Sequence, residues 1–318
     1  MSILEVKNLN LGFVSEDNFY QALFDVSFSL EKGQTLALVG ESGCGKTMSA
    51  MSILNLLPKT AKIMSGEIIY NGENILTKKT SEMSKIRGGK IALIPQDPMT
   101  SLNPLYTVGD QLLEVIKIHK NLSGKEAFNQ AVEAFDAVQI PDAKSRLNNY
   151  PHEFSGGMKQ RAVIAMALAT GAEIIIADEP TTALDVTIQA QIMKLINEIK
   201  QNNQTSILLI THDLALVSEN SQNIAVMYAG RIVEYASTQT FFSNPNHPYS
   251  KALLKSIPSN EYSKLETIKG QPPALSQIIE GCRFHPRCDY CMEKCSLGVP
   301  LLKEIMPNHY SACFLNGY

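Results

Sequence analysis

The feature that most constrains this chain is the segment Gly40–Thr47, whose sequence GESGCGKT has the spacing of a phosphate-binding loop. An apolar run, TLALV, precedes it, and a helix-favouring stretch, MSAMSILNLL, follows it. In such a loop the glycines let backbone N–H groups turn toward a phosphate, the Lys46 ammonium reaches the outer phosphates, and the Thr47 hydroxyl binds Mg²⁺. A glycine-rich turn can match this spacing by chance, but the flanking strand and helix favour nucleotide binding. The expected nucleotide contacts in the loop are Gly40, Glu41, Ser42, Gly43, Cys44, Gly45, Lys46 and Thr47.

Composition and charge narrow the class of protein further. A chain of 318 residues with 44% hydrophobic residues can bury the core of one large or two modest domains. The net charge of −3 provides no basic field of the kind that nucleic-acid-binding proteins carry. No uncharged apolar run approaches the ~18 residues of a membrane span, and the first residues, MSILEVKNL, do not resemble a signal peptide. We therefore expect a cytoplasmic globular protein that does not bind nucleic acid.

Two segments before the phosphate loop have the alternating apolar pattern of half-buried antiparallel strands. They are Ile3–Leu9 and Asp25–Leu30, and a polar loop is predicted between them at Ser15–Gln21. Phe13 follows the first of these strands, where its ring could stack on an adenine base. Tyr20 is the rival for that role, and either ring could instead pack within the protein.

The next predicted elements are a hairpin and a helical region. The pair Asn71-Gly72 suits the left-handed angles of a type I′ turn, so Gly66–Leu76 is predicted to form a hairpin that extends the small sheet. Further along, the apolar spacing becomes helical, and Ser123–Glu126 has the sequence of a capping box. An all-helical insertion is therefore expected at about 98–160.

Polar side chains follow three apolar segments that are predicted strands. Gln96 follows Lys90–Ile94, Asp178 and Glu179 follow Glu173–Ala177, and His212 follows Ser206–Ile210. Parallel strands deliver their carboxyl ends to one edge of a sheet, where ligands bind. At that edge Asp178 could hold Mg²⁺ through water, and Glu179 could polarise the water that attacks a γ-phosphate. Because the strand before them is fully apolar, a solvated surface pair is the less favoured interpretation.

A second anion site is predicted where the segment FSGGMKQR, residues 154–161, opens a helix with exposed amides and a serine. With this motif the chain resembles an ATP-binding-cassette ATPase over Met1 to about Pro258. The matching positions are the phosphate loop Gly40–Thr47, the glutamine loop Gln96, the LSGGQ-type motif Phe154–Met158, the magnesium and catalytic carboxylates Asp178 and Glu179, the D-loop Asp185 and the switch histidine His212. Phe154 stands where the family has leucine and Met158 where it has glutamine, and neither is a residue that contacts phosphate.

The resemblance implies an α/β fold of the P-loop NTPase class, with a RecA-like core, an antiparallel β subdomain and a helical subdomain. It also implies a site shared by two subunits, which ATP joins and hydrolysis parts. The expected catalytic residues are Glu179, His212, Gln96 and Lys46, and the expected Mg²⁺ ligands are Thr47, Gln96 and Asp178. The residues expected to contact a partner's ATP are Ser155, Gly156, Gly157 and Asp185.

Several segments narrow the resemblance to the oligopeptide/dipeptide/nickel importer branch of that family. They are Ile94–Pro104, the FSGGMKQR motif, Asn246–Leu254, Gly270–Pro273 and Gly281–Cys288. The resemblance implies a subunit that hydrolyses ATP to power uptake of di- or oligopeptides, with nickel or another small solute as the alternative cargo. The implied partners are a second, different ATPase subunit, two transmembrane permease subunits and an extracytoplasmic solute-binding protein. The chain would then be peripheral, on the cytoplasmic face of the cell membrane.

Two other classes of protein fit the motifs less well. Soluble cassette ATPases of DNA repair or translation carry long coiled coils or tandem cassettes, but Gly40 to Glu179 spans only about 140 residues and no second phosphate loop follows. A regulatory subunit without hydrolysis would lack a catalytic group, whereas Lys46, Glu179 and His212 are all present.

The small C-terminal extension, predicted at 259–318 after an ATPase domain at 1–258, is rich in cysteine. Four of its cysteines match a pattern that in the importer branch resembles a [4Fe–4S] site: Cys282, Cys288, Cys295 and Cys313. A structural zinc is the alternative, because four thiolates also suit Zn²⁺ and Cys288-x₂-Cys291 offers a local pair. Disulfides are less favoured in a reduced cytoplasm. Since the segment is too short to build a core of its own, the metal group is expected to hold its fold.

Overall fold

The structure is a computed structural model that describes residues 2–15, 18–181, 186–257 and 267–317. The chain forms two compact units. The first comprises Met1–Thr77 and Ile210–Tyr318, and the second comprises Lys78–Leu209. Along the sequence the units meet at 77/78 and at 209/210. The domain junction predicted at 258/259 lies inside the first unit and stays a prediction.

In chain order the strands are β1 (Ser2–Ser15), β2 (Asn18–Glu31), β3 (Thr35–Val39), β4 (Ala61–Tyr70), β5 (Glu73–Asn74), β6 (Ile91–Ile94), β7 (Ile174–Asp178), β8 (Ser206–Thr211), β9 (Asn223–Tyr228), β10 (Arg231–Ser237), β11 (Lys303–Met306) and β12 (His309–Ser311). The α-helices are α1 (Lys46–Leu54), α2 (Thr80–Ile86), α3 (Pro98–Ser101), α4 (Val108–Lys120), α5 (Gly124–Ala137), α6 (Ala143–Arg146), α7 (Gly156–Ala169), α8 (Val186–Asn203), α9 (Leu214–Asn220), α10 (Thr238–Ser243), α11 (Pro248–Lys255) and α12 (Glu293–Leu297). Within the described residues, none of these helices combines the length and the apolar character that crossing a membrane requires.

The first unit contains an antiparallel sheet in the strand order β2-β1-β4-β5. The two strands predicted from alternating apolar residues before the phosphate loop are confirmed, but both are longer than expected. β1 continues to Ser15 and β2 begins at Asn18, so most of the loop predicted at 15–21 is strand. Polar residues can occupy this end of the ribbon because an antiparallel sheet with a solvated face needs apolar side chains only on the other face.

The register of this ribbon places the two aromatic residues that compete for the adenine-stacking role. Phe13 lies inside β1 rather than after the strand, and it pairs with Tyr20 of β2. Both side chains are half-buried. Because directly opposed residues have Cβ atoms about 5 Å apart, the two rings lie side by side on the same face of the sheet.

The hairpin is confirmed at the predicted turn. Asn71 and Gly72 both have positive φ angles, 48° and 83°, as a type I′ turn requires. β4 begins earlier than predicted, at Ala61, because it pairs along much of β1. β5 is short and passes into a 3-10 turn at Ile75–Thr77.

A second group of strands in the first unit carries the phosphate loop. β3 is buried throughout and runs parallel to β9, with Leu38 opposite Ala225, which explains why its sequence TLALV is apolar without alternation. β9 pairs with β10, β10 with β12 and β12 with β11, all antiparallel. The last two strands belong to the C-terminal extension.

The extension shares the hydrophobic core of the first unit. Phe284 packs in one buried cluster with Tyr228 and Tyr249, and β12 pairs with β10. A buried contact of 2.7 Å between His309 Nε2 and Glu234 Oε1 joins the same two strands. Few side chains of the extension are buried, and packing on the cassette supports its fold, a role that the sequence interpretation gave to a metal group.

The second unit contains parallel strands and the whole segment 98–160 that is predicted to be a helical insertion. β6 and β7 are parallel neighbours, with Leu93 opposite Ile176. β8 begins beside β7, where the Ser206 N–H donates to the Glu173 carbonyl at 3.0 Å. The chain passes back into the first unit within β8.

One local prediction in the helical region is wrong. Ser123 is the N-cap residue of α5, but its side chain makes no capping hydrogen bond, so the capping box predicted at 123–126 is not formed. Gly124 begins the helix with a φ of 55°, a left-handed angle that departs from the geometry a capping box requires.

Candidate nucleotide site

The phosphate loop joins the buried strand β3 to helix α1. Gly45 is the N-cap residue of α1 and has a φ of 111°, and a Cβ atom there would lie 2.6 Å from Leu23 Cδ2. Gly40 has a φ of 154°, and a side chain on it would collide with the Met227 carbonyl. Both positions therefore require glycine, by conformation and by space. A loop of this kind can present backbone amides and the positive end of α1 to an anion.

Lys46 holds its charge over the loop. Its side chain is buried, and the ammonium donates to the carbonyl oxygens of Gly40 at 2.7 Å and Glu41 at 3.1 Å. Cys44 Sγ lies 3.9 Å from the same nitrogen, and burial raises the pKa of the Cys44 thiol, which keeps it neutral. Lys46 is thus the cation of the loop, and its ammonium can exchange the two carbonyl contacts for phosphate oxygens.

Glu41 has contacts that the sequence interpretation missed. Its N–H donates to the Tyr249 hydroxyl at 2.9 Å, and its carboxylate accepts from the two Nη atoms of Arg287 at 2.7 and 3.0 Å. Burial opposes the charge on Arg287, but hydrogen bonds with Glu41 and Tyr228 outweigh it and raise the pKa of Arg287. Burial also raises the pKa of Tyr249, so its hydroxyl stays protonated. The signal available beforehand was that Tyr249 and Arg287 lie in segments similar to the importer branch.

Gln96 and Glu179 meet in the second unit, although 83 residues separate them. They follow the parallel strands β6 and β7, whose register sets Ile94 opposite Ala177, so the residues after both strands come to one edge. The Gln96 Nε2 donates to Glu179 Oε2 at 2.9 Å. Asp178, the last residue of β7, is buried, and Glu179 adopts a left-handed φ of 46°. Strained angles of this kind cluster at functional sites.

The predicted second anion site is a helix N-terminus in the second unit. The Ser155 side chain caps α7 by accepting from the Met158 N–H at 3.3 Å. Among the residues that the structure describes, no atom outside the local chain lies within 4 Å of the place where a Gly156 side chain would begin, so this end of the helix is open to the described part of the chain. Phe154 fills an apolar position against Phe135, which accounts for an aromatic residue where the family has leucine.

Gln160 is a residue of this motif that the sequence interpretation did not single out. It is almost fully buried, and its Nε2 donates to the Pro180 carbonyl at 2.7 Å. Helix α7 is thereby joined to the turn directly after Glu179. Its position inside FSGGMKQR was the available signal.

The remaining predicted residues are placed as follows. His212 is exposed and lies between β8 and α9, whose N-terminus is capped by the Asp213 carboxylate. Asp185 lies outside the described residues. The phosphate loop, Phe13 and His212 belong to the first unit, whereas Gln96, Asp178, Glu179 and Ser155–Gly157 belong to the second.

Four of the extension's five cysteines line one small cavity. Its lining includes the four predicted ligands Cys282, Cys288, Cys295 and Cys313, together with Phe284 and His285. All six cysteines of the chain are free thiols in this structure. Burial, together with the neighbouring thiols, raises the pKa of Cys282 and of Cys288 to about 11. Within the described part of the chain, no three His, Cys, Asp or Glu side chains are arranged as a ligand set for a metal ion.

The parts described so far define a class of protein. A glycine-rich loop between a buried strand and a helix, with a buried lysine, is a cradle for a nucleoside triphosphate. An aspartate and a glutamate at the end of a parallel strand, with a glutamine beside the glutamate, are groups suited to Mg²⁺ and to an attacking water. These are the components of a P-loop nucleoside triphosphatase.

Comparisons with known proteins agree with this class. The sequence pattern of the family described as "ABC transporter" matches residues 23–182, and that of "Oligopeptide/dipeptide transporter, C-terminal region" matches residues 233–295. The chain is 48% identical to the oligopeptide transport ATP-binding protein OppD of Escherichia coli, over 98% of this chain and 93% of that protein. It is 46% identical to the dipeptide transport ATP-binding protein DppD of Bacillus subtilis, over 98% of this chain and 94% of that protein.

Solved structures show the same architecture. The dimeric ATP-binding cassette MJ0796, in a post-hydrolysis state bound to ADP and Pi, is 26% identical with a TM-score of 0.66, and the match covers 74% of this chain and 98% of that one. This chain belongs to the ABC transporter family and is an ATPase of that family. The predicted α/β cassette fold of the P-loop NTPase class is confirmed.

Proposed function

We propose that this chain is the ATP-hydrolysing subunit that powers an importer of di- or oligopeptides. The observation that carries the proposal is the similarity to oligopeptide and dipeptide transport ATP-binding proteins over 98% of the chain, the C-terminal region included. The cassette supplies energy rather than cargo recognition. A second, different ATPase subunit, two membrane permeases and an extracytoplasmic solute-binding protein complete the pump, and the chain is peripheral on the cytoplasmic face through its contact with the permeases.

Uptake in cells that lack this chain tests the cargo. We expect loss of labelled di- and tripeptide uptake, restored by the wild-type chain and not by Glu179→Gln, while nickel uptake is unchanged. Loss of nickel uptake with normal peptide uptake would favour the alternative cargo of the same branch.

Within the nucleotide site, different residues of the chain bind the phosphates, stack on the base and activate the attacking water. The loop from Gly40 to Thr47 and the Lys46 ammonium bind the phosphates of ATP, and Phe13 or its neighbour Tyr20 stacks on the adenine. Glu179, oriented by Gln96, accepts the proton of the attacking water. His212 is proposed to contact the γ-phosphate.

The residues present suit magnesium. Thr47, Gln96 and Asp178 offer a hydroxyl, an amide and a carboxylate oxygen, which are the hard donors that Mg²⁺ prefers. The bound ion would neutralise charge on the phosphates during transfer. Asp178 is buried at the end of its strand, so its carboxylate is held in place rather than free in solvent.

We further propose that Ser155, Gly156, Gly157 and Asp185 serve the ATP of the partner subunit. Support comes from the open N-terminus of α7, a helix of 14 residues, at Gly156. The dimeric state of the related cassette MJ0796 is consistent with such sharing.

Gly156→Asp tests the shared site. No atom of the described residues lies within 4 Å of its Cβ position, so the new side chain meets no clash with them, but it adds a negative charge where a partner's phosphate would bind. We expect ATP affinity of the isolated chain to stay within about twofold of wild type, while ATPase activity of the assembled pump falls at least tenfold.

The matched control is Gly124→Asp, which places the same charge at the N-terminus of another helix, also in open space and at a left-handed angle that aspartate tolerates. It should leave the assembled pump active. An equal loss of ATP affinity in the isolated Gly156→Asp chain would show that the motif acts within its own subunit.

For the extension we propose that Cys282, Cys288, Cys295 and Cys313 hold a [4Fe–4S] cluster with a structural role. Support comes from the convergence of these four thiols on one cavity. Four sulfur donors are the required number, and binding would draw the sulfur atoms together and release their protons. Zinc is the alternative that the same donor set would accept.

Purification without oxygen tests the cluster. We expect a brown protein with broad absorbance near ~400 nm and about four irons per chain, because cysteine-ligated iron absorbs there. Cys288→Ser should lose the colour, whereas Cys291→Ser, at the exposed cysteine beside the set, should keep it. A colourless protein with one zinc per chain would instead identify the site as zinc.

A further inference from the structure

A salt bridge joins the phosphate loop to the C-terminal extension across 246 residues of sequence. Arg287 Nη1 lies 2.7 Å from Glu41 Oε2, and Nη2 lies 3.0 Å from Oε1, so the guanidinium and the carboxylate meet through two parallel hydrogen bonds. The Arg287 side chain is only 5% exposed and that of Glu41 24%. Paired geometry and burial distinguish this contact from ordinary surface ion pairs, which contribute little.

Arg287 is itself held by two backbone carbonyls of the extension and by Tyr228 of β9. Its Nε donates to the Lys269 carbonyl at 2.8 Å, Nη2 also approaches the Gly270 carbonyl at 3.4 Å, and Nη1 approaches the Tyr228 hydroxyl at 3.3 Å. The guanidinium is thus oriented before it meets Glu41. An arginine ordered in this way loses little further freedom when it binds a carboxylate.

Glu41 is held at its backbone as well as its side chain. Its N–H donates to the Tyr249 hydroxyl, and its carbonyl accepts from the Lys46 ammonium. The Tyr249 ring packs against Phe284 of the extension, with ring centroids 5.3 Å apart. Glu41 is therefore held by hydrogen bonds at its N–H, its carbonyl and its carboxylate. The partners of the N–H and the carboxylate, Tyr249 and Arg287, both come from the C-terminal part of the chain.

A carboxylate in a phosphate loop has an electrostatic consequence. The phosphates of ATP are negative, and a negative Glu41 beside them lowers affinity unless a cation compensates it. Arg287 supplies that compensation in the structure. Within the described residues, the salt bridges place no other cation on the Glu41 carboxylate.

We propose that Arg287 is a positioning residue for ATP binding, which holds the Glu41 carboxylate in place beside the phosphate loop and cancels its charge. The inference rests on the proposed function, since it assigns the extension a part in the same nucleotide site. The extension then acts on the ATPase directly, through one arginine.

Binding of MgATP to the full-length chain tests the proposal in a double-mutant cycle. Arg287→Met leaves Glu41 uncompensated, so we expect the Kd for MgATP to rise about tenfold. Glu41→Gln removes the negative charge, leaves the Arg287 cation beside the phosphates and keeps the backbone groups of the loop, so we expect the Kd for MgATP to fall about threefold. The double variant should recover to within about threefold of wild type, because neither charge remains.

Two further variants separate positioning from folding. Arg287→Lys keeps the charge without the paired hydrogen bonds and should fall between wild type and Arg287→Met. Lys269→Ala removes a side chain of the same extension that forms an exposed ion pair with Asp289, and it should bind MgATP normally. In the assembled pump, Arg287→Met should raise the KM for ATP and leave kcat nearly unchanged, as loss of uniform binding does.

The outcomes are distinguishable. Wild-type affinity in Arg287→Met, or a double variant as weak as that single variant, would overturn the inference and leave the proposed function intact. Absence of MgATP binding by the wild-type chain would overturn the proposed function itself. If Arg287→Met does not fold, as judged by its thermal midpoint, Arg287→Lys and Glu41→Gln still decide the case through their Kd values.

Discussion

Replacing Glu179 with glutamine is expected to lower ATP turnover by ~10² or more while ATP affinity stays close to wild type. The substitution keeps the size of the side chain. It also keeps an oxygen that can accept the hydrogen bond from Gln96 Nε2, which lies 2.9 Å from Glu179 Oε2 in the wild-type chain. What it removes is the carboxylate that is proposed to accept a proton from the attacking water. Measuring the Kd for MgATP and the turnover of the assembled pump separates binding from chemistry.

The structure offers a matched control for this variant. Glu173, just before the same strand, forms a partly exposed ion pair with Lys90 at 2.7 Å, outside the proposed catalytic group. Glu173→Gln should leave turnover within about twofold of wild type, since exposed ion pairs contribute little. Turnover of Glu179→Gln within a few-fold of wild type would remove Glu179 from the mechanism.

Lys46→Ala is expected to act on ATP binding, which precedes hydrolysis, and to raise the Kd for MgATP by ~10² or more. Hydrogen bonds to charged groups contribute about 1.5–3 kcal/mol each, and one tenfold change corresponds to about 1.4 kcal/mol. If the ammonium makes two bonds to phosphate, as proposed, their loss accounts for an effect of this size. The side chain is buried over the loop and donates to Gly40 and Glu41, so alanine also removes two bonds that order the loop.

An exposed lysine provides the comparison for that experiment. Lys85→Ala, in helix α2, should bind MgATP as wild type does. Binding is measured directly on the full-length chain, because turnover alone would not separate Lys46→Ala from Glu179→Gln. A Lys46→Ala chain with wild-type affinity would contradict the role assigned to the ammonium.

Much of the site follows from local sequence because its chemistry is built into single strands, turns and helix starts. The spacing from Gly40 to Thr47 reflects backbone angles that only glycine adopts readily, so the loop can be predicted from the sequence without any tertiary information. The apolar strand before Asp178 likewise indicates that its end carries ligand-binding groups. Asn71-Gly72 predicts a turn for the same local reason, and its two positive φ angles confirm it.

The tertiary structure alone decided which distant residues meet. Gln96 joins Glu179 because β6 and β7 lie side by side in register, and Arg287 joins Glu41 because the extension packs on the cassette through Phe284. No local pattern encodes a contact across 246 residues, since it depends on how whole elements pack and not on propensity. The lengths of β1 and β2 were underestimated for a related reason. The polar residues near Ser15 are paired between the two strands, and the alternation of apolar and polar residues within one strand does not reveal such pairing.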